Sequence, residues 1–174
     1  MSAIEVLLGH KATGNDAYKA KDYAAACAAY GKAVADVPLL DDDDDDDDGP
    51  LRPKKEDLDA ELLKQAAIVL CNRAACYMAL NKPILALADA QRAAGYDGSN
   101  WKAHWRTGVS LMMMQPRLER SEQAIAAFER TLACPTLPES EQTNAKEALN
   151  RAKYRLEQGK DALDMPDMAN CVIS

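Results

Sequence analysis

Histidine is scarce in this chain, with only His10 and His104 among 174 residues. Five cysteines (27, 71, 76, 134 and 171) form no tight pair and leave an odd member. Neither a zinc site nor a disulfide framework is supported. Cys27, Cys71 and Cys76 lie in alanine-rich helical text, where a thiol behaves as a small buried hydrophobe. Neither histidine has a Cys or Ser partner placed as a nucleophile would need, and no paired carboxylates mark a pocket, so neither catalysis nor a cofactor is expected. Also lacking is any run near the eighteen or so apolar residues of a membrane span, and MSAIEVLLGHK has neither the charged start nor the sustained apolar core of a secretory signal. These absences predict a cytoplasmic chain. No basic stripe interleaved with aromatics recommends nucleic acid, and no alternating strand-like run with turn signals appears.

What is present is helical. The chain is 48% hydrophobic, enough at this length for one real core but crowded for two. Alanine is abundant, and Tyr, Leu and Met recur at three- and four-residue spacings. The text predicts helices over 2–20, opened by the capping box Ser2-Ala-Ile-Glu5, and over 23–37, ended by Pro38. Further helices follow over about 56–80, 83–94, from Ser99 or Asn100 through LMMM to near Pro116, over 120–133 and over 139–157. The formal net charge is −7, but Asp41 to Asp48 alone carry eight negative charges, so the remainder carries +1. Global acidity therefore says little about a partner of the folded part.

The helices repeat. With Gly14, Ala74 and Gly108 aligned, small residues also coincide at Ala26, Ala86 and Ala124 on the second helices, and Ala74 and Gly108 are 34 apart. Tyr30 and Phe128 are large plugs on second helices, where the middle unit has Ala90. The third unit departs through its longer connection, QPRLERSEQ. A helix-turn-helix period of this length resembles the tetratricopeptide repeat, whose stacked pairs form a superhelix with a groove lined by first helices. The expected fold is an all-α tetratricopeptide-like helical solenoid of three repeats plus a capping helix over 1–157. An acidic insertion is expected at about 38–55 and a flexible tail over 158–174.

Stacking would bring polar groups of the first helices together. Lys102 and Arg106, in NWKAHWRTG, are four apart and share a face, as do Lys11 and Asn15 in HKATGNDAY; Asn72, in VLCNRAACY, falls near the level of Arg106. Three cations and two carboxamides with no carboxylate among them form an anion site. Lysine supplies a compact charge, arginine a planar fork, and asparagine both donates and accepts. A peptide ending in an acidic residue offers two neighbouring carboxylates to such a site. The set is similar to the dicarboxylate clamp of chaperone-binding tetratricopeptide domains, which grips the Glu-Glu-Val-Asp terminus of cytosolic heat-shock chaperones. In that family the first repeat gives Lys and Asn, the second Asn, and the third Lys and Arg. The resemblance implies that Lys11, Asn15, Asn72 and Lys102 hold the terminal carboxylate, while Arg106, with Lys102, reads upstream acidic side chains or carbonyls. Ala75, Val109 and Met113 are candidates for receiving an apolar peptide side chain, and a helical Met stripe equally suits core packing. Trp101, Trp105, Met112 and Met114 are assigned mainly to packing between repeats.

Two segments stand apart. The octa-aspartate run reads as a solvated linker, or as a competitor that docks in the basic groove. The terminal Cys171-Val-Ile-Ser174 has the C-a-a-X form of a farnesylation signal, a reading that requires Ser174 to be the native end. One isoprenoid gives reversible membrane attachment only. The expected function is a non-enzymatic co-chaperone adaptor. Its rival is a scaffold that binds other proteins through its convex or Met-rich surface.

Overall fold

The computed structural model describes residues 2–38 and 58–164. The aspartate run and Cys171 lie outside the described residues. The elements are α1 Ala3–Lys19, α2 Tyr23–Ala33, α3 Ala60–Ala79, α4 Pro83–Tyr96, α5 Trp101–Met113, α6 Leu118–Ala133 and α7 Glu139–Asp164. Each packs on the next in sequence, and α1, α3, α5 and α7 also neighbour one another in that order. This is an all-α solenoid of three antiparallel pairs with α7 as the closing helix, and the first helices stand side by side.

Local chemistry explains where most helices begin and end. At the start of α1, Ser2 Oγ accepts from the Glu5 N–H at 3.3 Å, and Glu5 Oε2 accepts from the Ser2 N–H at 2.7 Å. Asp59 caps α3, which therefore starts at Ala60 and not near residue 56. Of the two candidates before α5, Asn100 is the cap, accepting from the Lys102 N–H at 3.2 Å. After Ala33, α2 loosens: Ala35 and Val37 donate back three residues, at 3.4 and 3.3 Å, so the helix stops before the expected Val37.

The turns inside the first two repeats match bond for bond. Lys21 and Asn81 adopt positive φ, 61° and 54°. The Asp22 N–H donates to Ala17 O at 3.0 Å, and the Lys82 N–H donates to Tyr77 O at 2.8 Å. Both are Schellman endings, which satisfy the orphan carbonyls of the outgoing helix. The longer third connection is held by arginines instead. Arg155 of α7 donates to Met112 O and Met114 O, both at 2.7 Å, and Arg120 donates to Gln115 O at 3.2 Å.

Side-chain size sets the spacing within each pair. A Cβ added at Gly14 would lie 2.4 Å from the Tyr30 ring, and one at Gly108 would lie 2.6 Å from Phe128. In the middle repeat Ala74 has its Cβ because Ala86 and Ala90, which pack with it, are small. Leu7, Leu63, Val69 and Leu70 fill the main core between the first two repeats, each burial contributing about 1.5–3 kcal/mol. The last helix runs beyond the expected Glu157 to Asp164. Gly159 does not end it; a Cβ there would stand 2.8 Å from Leu118 Cδ2, so the glycine allows α7 to approach α6.

Candidate functional site

The side-by-side order of α1, α3 and α5 brings a predicted polar site residue from each into a shared cavity of about 220 Å³. Asn15, Asn72 and Arg106 line it, with Ala75, Tyr18 and Tyr30 around them. Asn15 Oδ1 accepts from the Tyr30 hydroxyl at 2.8 Å and from Asn72 Nδ2 at 3.3 Å, so the two carboxamides are joined across the repeats. Arg106 Nη1 is buried without a hydrogen-bond partner. Such a donor carries an unmet desolvation cost until an acceptor arrives.

Lys102 is exposed and lines an adjoining cavity of about 320 Å³ with Ile68, Trp101 and Thr136. Asn72 borders both cavities. The Lys102 ammonium lies 5.7 Å from the Trp101 ring centroid, a cation–π placement that keeps the charge beside the groove. Lys11, one helical turn before Asn15, donates from Nζ to Gln65 Oε1 at 2.9 Å. Gln65 Nε2 in turn donates to Glu61 Oε1 at 2.8 Å. Among the described residues, Lys11, Lys102 and Arg106 form no ion pair.

The three candidate apolar residues divide. Ala75 belongs with the carboxamides, whereas Val109 and Met113 line a separate cavity of about 440 Å³ between α5, α6 and α7. Trp105, Met112 and Phe128 contribute to that cavity, and Asn144, Glu147 and Arg151 border it from α7. Trp105 and Phe128 pack with their rings tilted at 57° and centroids 5.4 Å apart, so aromatic residues assigned to packing also wall a cavity.

Burial governs the titration of the neutral groups here. It pushes the Tyr30 hydroxyl up to about 12, keeping it a proton donor. It also raises the Cys71 thiol to about 11, against the opposing pull of the Arg106 guanidinium. Cys76 rises to about 12, again chiefly through burial. Such thiols are protonated and inert near neutral pH.

Sequence reasoning missed the hydroxyl of Tyr30, the tether from Gln65, and the presence of Tyr18 and Lys19 at the cavity. The last two were within reach, because they lie three and four residues after Asn15 and share its face. Among the described residues no three His, Cys, Asp or Glu side chains gather as a metal site, and no described helix is long and apolar enough to cross a membrane.

The architecture defines a tetratricopeptide-repeat fold, a solenoid that presents a concave surface for binding. Three solved structures place that fold in context. The tetratricopeptide domain of Arabidopsis OM64 is similar at 24% identity and a TM-score of 0.61, covering 88% of this chain and 98% of that domain. The first such domain of Spaghetti (RPAP3), bound to the HSP90 peptide SRMEEVD, is 22% identical with a TM-score of 0.62, over 88% of this chain and 97% of that one. The second domain of human RPAP3, in complex with the HSP70 peptide SGPTIEEVD, is 21% identical with a TM-score of 0.61, over 87% and 98%. No protein-family model matches the chain. At these identities the likeness is one of fold.

Proposed function

We propose that this chain is a co-chaperone adaptor that binds the acidic C-terminal peptide, of the Glu-Glu-Val-Asp type, of cytosolic heat-shock chaperones. The observation that carries the proposal is a cavity that Arg106, whose Nη1 is buried without a hydrogen-bond partner, lines together with Asn15, Asn72 and Lys19. A cavity with an unmet cationic donor and carboxamide walls suits a carboxylate. Lys11 and Lys102 supply further positive charge from the neighbouring turns of α1 and α5. Two of the similar structures hold peptides that end in EEVD, which supports the same ligand class here.

In this mechanism the chain performs no chemistry. Rigid helices hold the groups at fixed separation, and the peptide bears most of the ordering cost. Lys11, Asn15, Asn72 and Lys102 take the terminal carboxylate, and Arg106 with Lys102 takes upstream acidic groups or carbonyls. Ala75 receives an apolar side chain beside the terminus, and the Val109 and Met113 cavity receives one farther along. The repeats with their closing helix act as one binding unit. A farnesyl group on Cys171 would add reversible membrane attachment. Mass spectrometry of protein from its native cell checks that modification, and an unmodified Cys171 removes it.

The test of the binding site is substitution. Asn72→Ala and Arg106→Ala should each weaken a free-acid Glu-Glu-Val-Asp peptide at least tenfold while leaving the helical spectrum unchanged. Unchanged binding in both variants would move the function to a scaffold that uses another surface.

A further inference from the structure

We propose that Tyr30 is a positioning residue for the carboxylate site, its hydroxyl fixing which atoms Asn15 turns toward a ligand. This inference rests on the clamp reading above. Tyr30 is only 1% exposed, and its ring lies against Gly14, so the phenol has little freedom to leave its place. Its O–H donates to Asn15 Oδ1, and Asn72 Nδ2 donates to the same oxygen. An amide oxygen has two lone pairs, and both are engaged. Rotating the Asn15 amide by half a turn would set its NH₂ against the Asn72 NH₂, donor facing donor, and would oblige the Tyr30 hydroxyl to give up its donated bond and accept instead. The oxygen is thereby pinned inward, and the Asn15 N–H groups are what remains for the groove, where a carboxylate needs donors. Burial keeps the Tyr30 hydroxyl protonated throughout the physiological range.

Packing does not call for the hydroxyl. The equivalent plug of the third repeat is Phe128, which fills the space over Gly108 with a bare ring. In the second repeat the position is Ala90. The phenol therefore occurs at the one plug position whose ring edge reaches a candidate ligand-binding asparagine. Its hydroxyl makes a functional contact on top of a structural one.

The experiment uses the full chain and isothermal titration with a peptide ending Glu-Glu-Val-Asp. Wild type, Tyr30→Phe, Asn15→Ala and the double variant are compared, with thermal melts of each. Tyr30→Phe should melt cooperatively, since the third repeat already tolerates a phenylalanine plug. It should weaken the free-acid peptide about threefold to tenfold, the worth of one oriented hydrogen bond. It should cause no further loss once Asn15 is alanine, because the effect passes through that side chain. Tyr30→Phe binding as tightly as wild type overturns the assignment. So does a loss that multiplies with that of Asn15→Ala, which would mean that the hydroxyl acts elsewhere. If wild type binds no free-acid peptide, the clamp reading falls and takes this inference with it. The wild-type titration alone separates that outcome from the others.

Discussion

The Tyr30 hydroxyl donates to Asn15 Oδ1 at 2.8 Å while the ring of the same tyrosine stands against Gly14. One side chain thus sets both the spacing of α1 against α2 and the orientation of a carboxamide in the groove. In the first repeat the residue that packs on the glycine also lines the carboxamide cavity, whereas in the third Phe128 packs on Gly108 and lines a different cavity.

Gly14→Ala tests that spacing. The new Cβ would meet a ring carbon of the buried Tyr30 at 2.4 Å, and overpacking of this kind costs about 1–3 kcal/mol. Better helix propensity offsets up to about 1 kcal/mol. The expected net result is destabilisation of about 1–2 kcal/mol in urea unfolding, with weaker peptide binding because Tyr30 must shift. Gly9→Ala is the control: it lies in the same helix with nothing within 4 Å of the added carbon, so it should stabilise by about 0.5–1 kcal/mol.

The second repeat depends on an ion pair. Arg73 Nε and Nη2 donate to the two Asp89 oxygens at 2.7 and 2.6 Å, and the two side chains are only 17% and 8% exposed. Asp89→Ala leaves a largely buried guanidinium uncompensated and should cost about 3 kcal/mol. Replacing both partners, Arg73→Met with Asp89→Leu, should restore most of that loss, since the desolvation of both charges is also removed. Urea denaturation of the three variants checks the order; a double variant as unstable as Asp89→Ala would contradict it.

Alkaline pH should destabilise the fold in a defined window. Cys71, Cys76 and Tyr30 are all held protonated by burial, with folded values of about 11, 12 and 12 against ordinary values of 9.0, 9.0 and 10.0. Above pH 9 the unfolded chain loses these protons before the folded chain does, so stability must fall as pH rises. The contribution is complete below pH 9 and is lost progressively toward pH 12. Thermal melts between pH 7 and 11 should show a decline beginning near pH 9, and Cys71→Ala with Cys76→Ala should make it shallower without moving its onset, because burial also raises the Cys27 and Cys134 thiols.

The repeat itself was legible because close helix packing demands small residues at fixed offsets, and Gly14, Ala74 and Gly108 obey that demand in plain view. That Asn15, Asn72 and Arg106 come together was legible for a similar reason, since a stacked solenoid converts sequence offsets on first helices into neighbours, whereas Lys11 and Lys102 lie outside their cavity. Contacts between distant segments left no such trace. Arg155 reaches the carbonyls of Met112 and Met114 from 41 to 43 residues away, and nothing periodic announces it. Tyr30 was readable as a plug, but its hydroxyl could be assigned only once the ring was placed against Asn15. The division of Ala75 from Val109 and Met113 likewise depended on where α7 lies. Helix ends differ by a few residues where a cap, as at Asp59, a close approach, as at Gly159, or a loosening last turn, as after Ala33, outweighed local propensity.

Recognition of a free acidic C-terminus by the groove is what the proposed function requires. Its most direct test is calorimetric titration with a peptide ending Glu-Glu-Val-Asp, beside the same peptide amidated at its C-terminus. The prediction is binding of the free acid that weakens as salt is raised, and loss of at least tenfold in affinity on amidation. Equal binding of both peptides, or binding of neither, would contradict it.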